Sequence, residues 1–93
     1  MKFEFKQDRA AGIGHRIVLK VIREGTEQIS SVRTVLDDSE LASDDLNPPI
    51  THYERIFNQA GTGGPGMHHH LHVTALDING DPQIGTLLWN DTL

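Results

Sequence analysis

The sequence predicts one α+β domain, a single antiparallel sheet of about five strands in the order β-β-β-α-β-β with one helix packed on one face. A small β-barrel with a helical plug is the alternative. Three observations lead there. Runs rich in β-branched and aromatic residues alternate apolar with polar positions, the segment 46–61 repeats apolar residues at helical spacing, and an Asn79-Gly80 pair separates two β-like runs.

The opening KFEFK sets Phe3 and Phe5 on one side of a short strand and Lys2, Glu4 and Lys6 on the other. QDRAAGIG reads as a loop. HRIVLKVIRE is rich in β-branched residues, with Ile17, Leu19 and Val21 on one face and Val18 and Ile22 among Arg16 and Lys20 on the other. EGTE supplies a turn into QISSVRTVLD, an antiparallel partner with Val32, Thr34 and Leu36 on a common face. The acid-rich stretch 37–47 reads as a solvated linker or an acidic face.

LNPPITHYERIFNQAG carries the helix signature. Ile50, Tyr53, Ile56, Phe57 and Ala60 recur at helical spacing, Gly61 stands at a C-terminal cap position, and Asn47 or Thr51 with Glu54 can cap the start. A glycine-rich loop over 61–67 leads to HHHLHVTALDI, and Asn79-Gly80 joins that run to DPQIGTLLWN as a hairpin in which both turn residues need positive φ.

With 93 residues the chain forms one domain, 1–93, able to bury one modest core. It has no cysteine, which removes disulfide frameworks, thiolate metal sites and thiol nucleophiles. The N-terminus has no apolar signal-like region and no run reaches membrane-spanning length, so the expectation is a cytoplasmic protein without a membrane partner. The net charge of −5 is uneven. Residues 1–33 hold seven basic against four acidic side chains, net +3, and the remainder holds one basic against nine acidic, net −8. This balance disfavours nucleic acid as a partner.

The unusual motif is His68-His69-His70-Leu71-His72. In a strand, His68, His70 and His72 project to one face while His69 joins Leu71, Val73 and Ala75 on the other. Alternate residues stand about 6.6 Å apart, so His70 and His72 can share one ion at Zn–N bonds of about 2.0 Å while His68 is too distant to complete the set. A metal site, with zinc as the cofactor, therefore needs a further ligand from His52, His15, Glu54 or Asp77. GTGGPG lacks the Lys-Ser/Thr and the following helix of phosphate-binding loops.

Three functional classes follow. The first is a non-catalytic module that engages a protein partner or self-associates, for instance as a homodimer through a sheet edge. The second is a His-based metal protein, possible as a hydrolase, using His68, His70, His72 and His52. The third is a metal-independent nuclease or toxin-like enzyme combining His52, Glu54 or Arg55 with the strand histidines. No catalytic residues can be assigned from the sequence.

Overall fold

In a computed structural model that describes residues 1–10, 14–59 and 68–90, the regular elements among the described residues are strands alone. These are β1 (Lys2–Ala10), β2 (Gly14–Ile22), β3 (Ile29–Leu36), β4 (Ser39–Ile50), β5 (His52–Gln59), β6 (His68–Asp77) and β7 (Pro82–Asn90). They form two antiparallel sheets, one of three strands ordered β1-β2-β5 and one of four ordered β4-β3-β6-β7. The single-sheet α+β expectation and the helical-plug barrel are both replaced by a β-sandwich. Among the described residues no helix is present, and none is long and apolar enough to cross a membrane.

Where a helix was expected over 46–61, the described residues form the end of β4 and the whole of β5. Tyr53 and Phe57 are buried, Glu54, Ile56 and Asn58 are exposed, and Arg55 is half-buried, so the segment alternates with period two. A spacing of four residues, Tyr53 to Phe57, is common to a helix turn and to two strand repeats. Ile56, 46% exposed, decides between them because a helix would have put it beside Phe57 in the core. The proposed glycine cap at Gly61 and the loop 61–67 lie outside the described residues.

The acidic linker is also a strand. β3 and β4 are joined by two residues, Asp37 and Asp38, with φ of 48° and 67°, the backbone of a primed hairpin turn, which Asp tolerates better than most residues. The expected loop over QDRAAGIG is likewise shorter, since β1 runs to Ala10 and β2 begins at Gly14. The β6–β7 hairpin does form around Asn79-Gly80, but by a different turn. Gly80 N–H donates to Asp77 C=O at 3.0 Å, and Gly80, not Asn79, takes positive φ, at 81°. The four residues 78–81 connect the strands, and the turn is closed by a left-handed glycine.

The core lies between the sheets. Ile17, Leu19 and Val21 of β2 meet Val32 and Leu36 of β3 and Leu71, Val73 and Ala75 of β6, with Tyr53 and Phe57 closing one side. Full burial of each large aliphatic side chain is worth about 1.5–3 kcal/mol. Ser30 bulges out of the β3–β6 ladder, which is how Ile29 and Val32, three apart, both reach the core, and its hydroxyl donates to the Asp77 carbonyl at 2.8 Å. On the β1–β7 side, Phe3 packs so tightly over Gly85 that a Cβ there would stand 2.4 Å from the ring. Glu27 closes the β2–β3 turn: its Oε1 accepts the Glu24 N–H at 2.7 Å and the Gly25 N–H at 3.3 Å. Donation from Glu24 leads the causes that bring this carboxyl down to about 2.

Candidate functional site

The histidine run lies on β6, and strand alternation sorts it. His68 and His70 are exposed and His72 half-buried on the outer face of the four-stranded sheet, with the His70 and His72 rings edge to face at 5.7 Å between centroids. His69 turns inward, 4% exposed, and packs against Trp89. Its Nδ1 donates to Asp37 Oδ2 at 2.5 Å, while Asp37 Oδ1 accepts the His70 backbone N–H at 2.8 Å. The Asp37 N–H in turn donates to the His70 carbonyl at 3.0 Å. Burial pushes the Asp37 carboxyl up, but the His69 hydrogen bond, the His70 N–H and the nearby imidazoles outweigh it and hold the carboxyl below its ordinary range. An ionised carboxylate only accepts, so the proton of this contact sits on His69 Nδ1.

The other residues read as ligands lie elsewhere. His52 is exposed on β5, in a cross-strand row with Ile22 and Lys2 on the outer face of the three-stranded sheet. Glu54 shares that face, beside Lys20 and Glu4. The whole core therefore separates His52 and Glu54 from His68, His70 and His72. Asp77 Oδ1 is engaged in the hairpin, accepting the Asn79 and Asp81 N–H groups at 2.8 and 3.0 Å. The His15 side chain lies outside the described residues. Among those that are described, no group of three or more His, Asp or Glu could hold a metal ion, so the metal-binding reading is withdrawn. The acid–base set imagined for a nuclease is dispersed by the same geometry.

Arg55 is committed structurally. Its Nη1 donates to both carboxylate oxygens of Asp44 on β4, at 2.8 and 2.7 Å, and its guanidinium lies 5.5 Å from the centre of the Phe57 ring. The buried Tyr53 hydroxyl also donates to Asp44. This cluster fastens the β4 edge of one sheet to the β5 edge of the other. Tyr53 donation, then Arg55, holds the Asp44 carboxyl below its ordinary range, and burial, followed by the hydrogen bond to Asp44 and then its charge, keeps the Tyr53 phenol well above its own. Reading 37–47 as a linker hid both Asp37 and Asp44. The available signal was the two-residue Asp37-Asp38 gap between Leu36 and the alternation that resumes at Leu41 and Ala42.

What the sandwich presents outward is a partly apolar strip. Leu88, 71% exposed, and Ile84, 58% exposed, stand on β7 with Thr86 between them. Their β6 neighbours in register are His70, Thr74 and, beside Thr86, His72. Half-buried Val35 continues the face on β3, next to His72. Beyond it Arg33 and Glu40 pair at 2.8 Å. The opposite sheet offers a shallow groove in which Lys6 and Lys20 alternate with Glu4 and Glu54 around Val18, a self-compensating surface.

No protein-family profile matches the chain, and no curated protein does. Among solved structures it is similar to a chain of the Clostridium thermocellum CbhA fibronectin(III)-like modules, with a TM-score of 0.55 over 98% of this chain and 97% of that one. Sequence identity between them is 16%, so the likeness is one of architecture. Three strands facing four, with no helix among the described residues, therefore constitute a fibronectin(III)-like β-sandwich.

Proposed function

We propose that the protein is a non-catalytic interaction module whose contact surface is the outer face of β6 and β7. The observation that carries this reading is the exposure of Ile84 and Leu88 on one edge strand, beside His70 and His72, on an otherwise well-packed sandwich. Exposed aliphatic side chains in one row, rimmed by polar groups, are the composition of a contact patch. The architecture supports the same reading, since the solved chains that it resembles are described as modules. The titratable groups Asp37, His69, Asp44 and Tyr53, all but Asp37 buried or half-buried, pair with one another and hold strands together, which is a structural employment.

A photo-activatable residue at Leu88, compared with one at Lys20 on the opposite sheet, tests the assignment in extracts of the producing cell. The expected result is discrete protein adducts at position 88 that disappear with Ile84→Lys and are absent at position 20. Adducts at neither position, or equally at both, would contradict it.

A further inference from the structure

We propose that the partner at this surface is a second copy of the chain, joined through β7 in antiparallel register centred on Thr86. Two four-stranded sheets would then become one continuous sheet of eight. The inference rests on the reading of the β6–β7 face as the contact surface and names its occupant.

The argument starts from the four sheet edges, β1, β5, β4 and β7. An open edge presents backbone N–H and C=O groups to any passing strand, and proteins blunt such edges with charge, proline or bulges. β1 carries Lys2, Glu4, Lys6 and Asp8; β5 carries Glu54 and Arg55; β4 carries Glu40, Asp44 and Asp45, with Pro48 and Pro49 near its end. β7, PQIGTLLWN, has no charged residue, and its one proline is its first residue. It is the edge left unprotected among the described strands.

The same strand is complementary to itself. A two-fold axis through Thr86 sets Ile84 opposite the partner's Leu88, Gly85 opposite the partner's Leu87, and Thr86 opposite the partner's Thr86. Directly opposed side chains approach to about 4.5–5.5 Å, so the two most exposed aliphatic residues on the strand would cover each other. Charge selects this edge as well. Each copy carries −5, and pairing through β4 would align acids with acids, whereas two β7 strands meet without a charge on either side. One paired edge about 30 Å long, at about 3.3 Å per residue, falls at the small end of specific interfaces, so the dimer forms at micromolar or higher concentration.

The test exploits the absence of cysteine from the chain. The two-fold register brings the opposed Thr86 Cα atoms to about 4.5–5.5 Å, inside the range a disulfide spans. Thr86→Cys should oxidise to a linked dimer, while Ser43→Cys, exposed on β4, should stay monomeric. Sedimentation of the unaltered protein should show a concentration-dependent dimer that Leu88→Lys weakens by about tenfold or more. A monomer at all concentrations up to millimolar, a dimer indifferent to Leu88→Lys, or equal oxidation of the two cysteine variants would overturn the proposal. If the protein is monomeric and the photo-activatable residue at Leu88 still captures a different protein, self-pairing fails and the contact surface stands. If that residue captures nothing, both fail.

Discussion

Asp37 and Thr34 show how much a single position on β3 or its turn can decide. Asp37 serves a buried imidazole and a backbone N–H at once, so Asp37→Ala strands His69 Nδ1 in the core and should destabilise the fold by about 2 kcal/mol in denaturant unfolding. Thr34 errs in the other direction. Its hydroxyl is fully buried without a hydrogen-bond partner among the described residues, and Thr34→Val, which keeps the shape, should stabilise by about 1 kcal/mol. Three carboxylates, Glu27, Asp37 and Asp44, have folded pKa values below their ordinary ones. Their contribution is therefore complete above the unfolded values of about 4 and is lost as pH falls through the folded values, which for Glu27 is about 2. Unfolding free energy measured against pH should decline below about pH 4, and Asp37→Asn should flatten that decline.

At the scale of elements, β5 separates strand from helix most cleanly. Phe57→Ala should cost about 3–5 kcal/mol, whereas Ile56→Lys should stay within about 0.5 kcal/mol, because only one of these neighbours faces the core. A helix would make both expensive. The close approach of β1 to β7 gives a second element-scale expectation. Gly85→Ala drives a methyl into Phe3 and should destabilise by about 1–3 kcal/mol, with the Phe3 resonances shifting most in NMR spectra. These elements also mark where the sequence was legible. The β-branched run HRIVLKVI and the alternation in HLHVTA pointed to β2 and β6, and the same alternation set His69 on the face of Leu71, Val73 and Ala75. Tyr53 and Phe57 misled because their spacing fits both periods, and the density of acids over 37–47 masked a strand whose inner positions, Ala42 and Asp44, are small or polar.

For the whole molecule, the sandwich explains why the candidate site could not be assembled from residue types alone. His52 and His70 look like potential co-ligands in the sequence, yet they belong to the outer faces of different sheets with the core between them. The exposed Ile84 and Leu88 were visible only as strand-forming residues until the sheet order placed β7 at an edge. The proposed function accordingly rests on a surface and not on side-chain chemistry. The most direct test is a residue-resolved NMR spectrum of the isolated protein recorded from low micromolar to near-millimolar concentration. The account predicts shift changes and broadening confined to residues 82–90 and to His70 and His72; changes centred on Lys20 and Glu54, or none, would contradict it.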